Sequence, residues 1–260
     1  MAGTEDLIRL HRQFLKDSIR KSFNFAAADQ NRGVPPPPAQ KPYPEGSRTL
    51  ELPGPDRFGA VCAADLLTVF HSRRSVRQYS RAKLSLEELA FLLWATQGVA
   101  ERHGDVATLR TVPSAGARHA FETYLYLPGV EGLEEAVYRY LPLEHRLLFE
   151  FTEPGFARRL NEACLGQRFI GQAAAVFVWA AIPYRMEWRY GPAAHRTLAI
   201  DAGHVCQNLY LAAEAIGAGA CAIGAYDQER LDALLRLDGE DEFVFYLAPV
   251  GKKVQGFPAR

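Results

Sequence analysis

Residues 173–182, from Ala173 through Val176, Phe177, Val178 and Trp179 to Ile182, form an unbroken apolar run bounded by Gly171 and Pro183. The run has the length of a strand and carries no alternating polar position. It therefore predicts a strand buried on both faces. A second apolar stretch, Arg196 to Ala215, is long enough for a helix buried on more than one side and is stopped by Gly217. Asp201, His204 and Glu214 interrupt it, so it is no membrane span.

Around these two lie shorter signals. Ser85-Leu86-Glu87-Glu88 is a capping box, opening a helix with Leu89, Leu92, Leu93 and Thr96 on one stripe and Gly98 as its stop. Strands are predicted over Phe121–Leu127, Ala136–Tyr140 and Phe243–Val250, and helices over Ala63–His71 and near 155–163. Asp227 is a good N-cap for one more helix, reached through a strand or loop from Ala218 to Tyr226. A loop holds Gly104 and Pro113-Ser114-Ala115-Gly116-Ala117. This mixed order, with hairpin-like and crossover connections, predicts an α+β sandwich of sheet and helices.

Residues 61–260 make that body, and residues 1–60 read as an arm. Leu7, Leu10 and Phe14 give the arm a short amphipathic helix, and prolines at 35–38, 42, 44, 53 and 55 keep the rest extended. Tyr43, Leu50 and Leu52 suit docking on the body or a partner subunit, while the prolines alone also fit a free linker.

Composition removes several classes of function. Thirty basic residues balance thirty acidic ones, so no overall field attracts nucleic acid or an anionic membrane. Four scattered cysteines, with no C-x-x-C or H-E-x-x-H motif, exclude a zinc or disulfide framework and fit a reducing, cytoplasmic setting. The first thirty residues lack an apolar core, so no signal peptide is expected.

Four segments could carry chemistry. Arg73-Arg74-Ser75-Val76-Arg77 offers guanidinium forks and a hydroxyl matched to a phosphate, although it also fits a solvated basic turn. Lys252-Lys253 follows the last strand and would matter only by converging on the same anion. Pro113-Ser114-Ala115-Gly116 lets backbone approach a flat ligand, or is a plain surface turn. Gly217 to Gly224 is nearly free of large side chains, which suits passage past a ring system or tight helix–sheet packing. It lacks the strand–turn–helix context of a dinucleotide fingerprint.

In this order the segments resemble the nitroreductase superfamily of FMN-dependent oxidoreductases, and within it the SagB-type dehydrogenases, which include azoline oxidases. The resemblance spans about His71 to Lys253 and includes Leu92-Leu93-Trp94-Ala95-Thr96-Gln97-Gly98, Arg110-Thr111-Val112-Pro113-Ser114, Tyr190-Gly191, Asp201-Ala202-Gly203-His204, Gln207-Asn208-Leu209 and Pro249-Val250-Gly251. It implies a nitroreductase-like fold with a mainly antiparallel central sheet flanked by helices, a homodimer, and FMN at the subunit interface. Arg73, Arg74, Ser75 and Arg77 match the family's phosphate and ribityl segment, joined by Lys252 or Lys253. Pro113, Ser114, Ala115 and Gly116 match the loop against the flavin ring, and Ala222, Ile223 and Gly224 match the backbone facing its N5 edge.

The implied activity is hydride transfer by a ping-pong cycle between a reduced donor, with NAD(P)H a candidate, and a small conjugated or heterocyclic substrate. Two alternatives are oxidation of an azoline in a modified peptide and flavin binding without turnover. The azoline oxidases carry a Lys-Tyr pair for proton abstraction, and Arg189-Tyr190 stands at the matching positions as the candidate catalytic pair. Arginine stays protonated and is a poor base, which leaves Tyr190 as the proton carrier. Asp201 and His204 share one helix face and are expected to satisfy one another. Specificity is expected from loops at Pro142–Phe169 and Pro183–His195, with Phe149, Tyr184 and Trp188 as stacking residues.

Overall fold

In the computed structural model, which describes residues 3–62, 64–103 and 107–254, seventeen helices and strands follow one another. They are α1 (Thr4–Arg12), α2 (Ile19–Ser22), β1 (Thr49–Glu51), α3 (Leu66–Ser72), α4 (Leu86–Gln97), β2 (Val99–His103), β3 (Ala107–Arg110), β4 (Phe121–Tyr126), β5 (Val137–Leu141) and β6 (Arg146–Phe151). Then come α5 (Phe156–Ala163), β7 (Ala175–Ala181), α6 (Tyr184–Tyr190), α7 (Ala194–Ala215), β8 (Ala218–Ala220), α8 (Gln228–Leu235) and β9 (Phe243–Lys252). Ala63 and Gly104, named above within a helix and a loop, lie outside the described residues.

Seven strands form one antiparallel sheet in the order β1-β6-β5-β4-β7-β9-β8. The apolar run supplies β7, and every residue from Ala175 to Ala181 is buried. Its alternation divides the core. Phe177 and Trp179 pack with Leu89, Leu92, Leu93 and Leu209 of α4 and α7. Val176 and Val178 pack on the other face with Leu160, Leu231 and Leu235 of α5 and α8. Burying each of these large side chains contributes about 1.5–3 kcal/mol.

The local signals behave as their chemistry requires. Glu88 N donates to Ser85 Oγ at 3.1 Å, and Ser85 N donates to Glu88 Oε2 at 3.0 Å, completing the capping box of α4. Arg230 N donates to Asp227 Oδ1 at 3.1 Å, so Asp227 caps α8. Gly217, at φ 69°, follows the end of α7 in the left-handed region open to glycine.

Three segments differ from expectation, and a fourth, left open as strand or loop, is resolved. The variable loop expected at 142–169 contains, besides the helix expected near 155–163 and found as α5, the strand β6, because Leu147 and Leu148 are buried despite the flanking Arg146 and Glu150. The loop expected at 183–195 contains α6, with Pro183 tolerated at its N-cap, and α7 starts at Ala194. The antiparallel pair β2–β3 lies in the segment read as loop; the exposure of Ala100 to His103 leaves no apolar alternation to reveal it. Between Ala218 and Tyr226 only Ala218–Ala220 is strand, and Ile223 adds an isolated bridge to Leu247.

The arm from Gln40 to Leu52 is docked on the body, and polar groups do most of the work. Arg110 donates to Ala39 O at 2.9 Å, while Arg139 donates to Lys41 O at 2.8 Å and Pro42 O at 3.2 Å. Both arginines are buried, and Lys41 N donates to the buried Glu122 carboxylate at 2.7 Å. Thr49–Glu51 then joins the sheet edge as β1. The apolar side chains of α1 and of the turn that follows it stay on the surface, with Leu10 64% and Phe14 50% exposed.

Candidate functional site

The segment Arg73–Arg77 leaves α3 and runs beside β8. Val76 N donates to Ala220 O at 2.9 Å, and four residues further Ser80 N donates to Lys252 O at 2.9 Å. The early basic cluster and the end of β9 are thus neighbours through their backbones. Sequence spacing gave no hint of the residue that ties this region together, Tyr210 of α7. Its hydroxyl accepts Ala222 N–H at 2.7 Å and lies 3.1 Å from Ser75 Oγ, and Arg73 stands over its ring at 5.2 Å. Tyr210 lies just past the Gln207-Asn208-Leu209 segment, and an apolar helix gives a single tyrosine no signal of its own.

Among the described residues, none of the Arg73, Arg74 and Arg77 guanidiniums has a carboxylate within ion-pair distance. Arg74 donates only to the carbonyls of His71 and Arg73, at 2.9 and 2.8 Å. Arg77 lies close enough to Cys221 and Tyr79 for its charge to favour their anions, although burial dominates and pushes both groups up. Arg73, over the Tyr210 ring and next in chain but one to Ser75, carries a guanidinium without counter-charge, the chemistry that can receive an anion.

The two lysines behave differently. Lys252 Nζ pairs with Glu88, the same carboxylate that closes the capping box, and donates to Ile216 O at 2.9 Å. Lys253 Nζ pairs with Glu214 at 2.5 Å. Both ammonium groups are committed to acids, so the charge left open here belongs to the arginines.

Of the backbone donors at 222–224, two are engaged: Ala222 N–H by Tyr210, and Ile223 N–H by Leu247 O at 2.8 Å. Gly224 N–H has no acceptor among the described residues, and a Cβ there would meet nothing closer than Tyr246 at 4.0 Å. Space for a ring and one free donor coincide at Gly224.

The loop Pro113–Ala117 meets α7 at Asp201, nine residues before Tyr210. Nine residues are two and a half turns, so the two side chains leave opposite faces of the helix, about 13 Å apart along its axis. Ala115 N donates to both Asp201 oxygens, at 3.1 and 3.3 Å. Burial raises the Asp201 carboxyl, opposed by the Ser114 hydroxyl, the Ala115 N–H and the charge of His204. The expected Asp201–His204 pairing is corrected accordingly: His204 is exposed, and Asp201 takes its hydrogen bonds from the loop.

Ser114 Oγ accepts His119 N–H at 2.9 Å. Burial, with Arg110 beside it, holds the His119 imidazole down to about 3, so it is neutral and bonds Thr108 O at 3.0 Å through Nε2. Gly116 sits at φ 59°, and a Cβ on it would lie 2.7 Å from Tyr190 Oη and 2.8 Å from Arg189 Nε. The candidate catalytic pair and the candidate ring loop are therefore in direct contact. Arg189 also stands over the Tyr190 ring at 5.5 Å.

The three aromatics expected to stack on a ligand have other roles. Phe149 lies under Arg48 at 4.9 Å, Tyr184 bonds Asp29 at 2.8 Å, and Trp188 bonds Val34 O at 2.8 Å beneath Arg118. Among the described residues no group of His, Cys, Asp and Glu could hold a metal, and no helix is long and apolar enough to cross a membrane.

A Methanocaldococcus jannaschii protein that carries the nitroreductase name is 35% identical over 207 residues, covering 80% of this chain and 98% of its own. Two crystal structures titled as nitroreductases are similar in fold and sequence. The Ralstonia eutropha protein gives a TM-score of 0.65 at 27% identity, over 85% of this chain and 95% of its own. The Anabaena variabilis protein gives 0.68 at 26%, over 83% of this chain but 43% of its own. The Nitroreductase family model matches residues 71–252, from the end of α3 to the last residue of β9, and the chain belongs to this family of oxidoreductases.

Proposed function

We propose that this protein is an FMN-dependent oxidoreductase that works as a homodimer, with a reduced donor and a small conjugated or heterocyclic acceptor using one pocket in turn. The observation that carries the reading is the run of unneutralised guanidiniums on Arg73, Arg74 and Arg77, of which Arg73 stands over Tyr210 at the Ser75–Tyr210–Ala222 node, with Gly224 open two residues beyond Ala222. These residues fit the two ends of FMN. The arginines and Ser75 would hold a phosphate, and the Gly224 N–H would face a ring edge. Bound FMN supplies the two-electron chemistry that no side chain here possesses. NAD(P)H is the donor that fits a family of this kind.

The dimer is supported by two features. The ring loop at 113–117 and the phosphate segment meet α7 on opposite faces, so copies paired through α7 can each complete the other's site. In addition, α3 leaves Leu66, Leu67 and Phe70 65%, 80% and 57% exposed on one patch.

Arg189 and Tyr190 form the acceptor side against Gly116. Arg189, a poor base by its chemistry, orients or screens; Tyr190 is the proton carrier. Their contact with the Gly116 loop also favours a second reading, oxidation of an azoline in a SagB-type system, in which Tyr190 alone would remove the proton.

The experiment is direct. Protein reconstituted with FMN and gel-filtered should remain yellow, elute as a dimer and oxidise NADH or NADPH with a quinone or nitroaromatic acceptor. A colourless protein would overturn the reading, and turnover of an azoline peptide in preference to quinones would favour the second.

A further inference from the structure

The helix that carries Arg189 and Tyr190 is gripped by the chain's own N-terminal arm. Tyr184 donates to Asp29 Oδ2 at 2.8 Å and Trp188 Nε1 to Val34 O at 2.8 Å, and just beyond, Arg196 Nε of α7 donates to Leu15 O at 2.9 Å. Between these anchors the arm passes over Gly191, the residue after Tyr190. Gly191 has φ 51° and ψ −138°, and a Cβ added there would collide with the Phe23 ring. The close approach is possible only because the position is glycine.

Phe23 is itself braced. Its ring meets Phe25 edge to face at 5.1 Å, and Arg20 stands over Phe25 at 5.6 Å. Arg20 bonds Asp17 at 2.6 Å. The Asp17 carboxylate, against a small burial cost and with a weaker contribution from Tyr190, holds the Arg20 guanidinium above its ordinary value. The segment from Asp17 to Phe25 thus packs against the residue that follows Tyr190. Phe23 is only half-buried, so part of its ring remains open.

We propose that the segment Asp17–Phe25 is one wall of the acceptor site and that Phe23 sets the size of the flat acceptor that can reach Tyr190. This rests on the reading of Tyr190 and the Gly116 loop as the acceptor side. A pocket discriminates by the volume it leaves, and each methylene changes selectivity roughly 10–200-fold when the fit is close. A half-open ring such as Phe23 sits at the low end of that range.

The test uses full-length protein reconstituted with FMN and three acceptors of increasing width: 1,4-benzoquinone, 1,4-naphthoquinone and anthraquinone-2-sulfonate. Phe23→Ala should raise the kcat/KM ratio of the widest to the narrowest acceptor by roughly fivefold or more, mainly through KM, and Phe23→Leu by less. The dissociation constant of anthracene-2-carboxylate, a non-reacting probe measured by calorimetry, should fall in parallel. If wild-type protein turns over but neither variant changes the ratio or the binding, the proposal fails alone. If wild-type protein reduces none of the acceptors, the underlying reading fails and takes the proposal with it.

Discussion

The Tyr210 hydroxyl accepts the Ala222 N–H at 2.7 Å and lies 3.1 Å from Ser75 Oγ, so one side chain of α7 fixes both segments that would face the two ends of the nucleotide. Tyr210→Phe leaves the Ala222 donor unpaired and Ser75 free to turn. The cost of one lost hydrogen bond of this kind is about 1–2 kcal/mol, or roughly tenfold in affinity. FMN titrated against protein fluorescence should bind about tenfold more weakly to Tyr210→Phe, with the fold unchanged by circular dichroism.

The open guanidiniums predict a salt effect. Arg73, Arg74 and Arg77 have no carboxylate partner to neutralise them, so each can add attraction for a dianionic phosphate that mobile ions screen. The FMN dissociation constant should rise with ionic strength between 0.05 and 0.5 M by roughly severalfold. In Arg73→Ala and Arg77→Ala it should be higher at low salt and rise less steeply, while riboflavin, which lacks the phosphate, should bind all three proteins alike.

Gly116→Ala tests the contact between loop and catalytic pair. The left-handed φ of 59° disfavours any Cβ, and that Cβ would enter the space of Tyr190 Oη and Arg189 Nε. The variant should lose acceptor turnover by roughly ten- to a hundredfold, as a displacement of about 1 Å can do. FMN binding through the distant arginines should persist, which separates this defect from unfolding.

His119 gives the protein an acid sensitivity with a defined window. Burial, then the charge of Arg110, hold its imidazole at about 3 in the folded state, against 6.5 in the unfolded chain. Between those values the unfolded state binds the extra proton. Stability therefore rises with pH through the window and is lost as the pH falls from about 6.5 toward 3. His119→Asn tolerates the backbone, which has φ 46° here, and should flatten the dependence of Tm on pH between 4 and 6.5.

Glu122 anchors the arm from inside. Its carboxylate receives Arg185 at 2.5 Å, Arg139 at 3.4 Å and Lys41 N–H at 2.7 Å. Burial opposes its charge, but the two guanidiniums prevail and hold the carboxyl below its ordinary value. Glu122→Gln leaves the buried Arg185 without its carboxylate and Arg139 with Glu150 alone, and should cost about 3–5 kcal/mol, seen as a large fall in Tm. Amide exchange of residues 39–43 should rise more than that of α7.

The sequence made the β7 core strand, the α4 capping box and the α8 cap legible because each rests on a local pattern that no distant residue needs to complete. The same holds for the basic pentad and the small-residue loop, whose composition is itself the signal. Tyr210, Glu122 and Phe23 were not legible. Their importance comes from partners about 12, 63 and 168 positions away, and nothing local marks them. β6 escaped because Arg146 and Glu150 broke its apolar pattern, and α6 because a proline at a helix start looks like a loop.

The hydrogen bonds from Arg139 to the carbonyls of Lys41 and Pro42 span about a hundred residues of chain. During synthesis the arm leaves the ribosome before the body and must wait roughly five to twenty seconds for that arginine to be made. Its prolines and sparse apolar content keep it extended and soluble through the delay. The segment that completes the fold is thus among the earliest translated and the last to find its place, and a bulky fusion at that end should slow maturation more than one at the other.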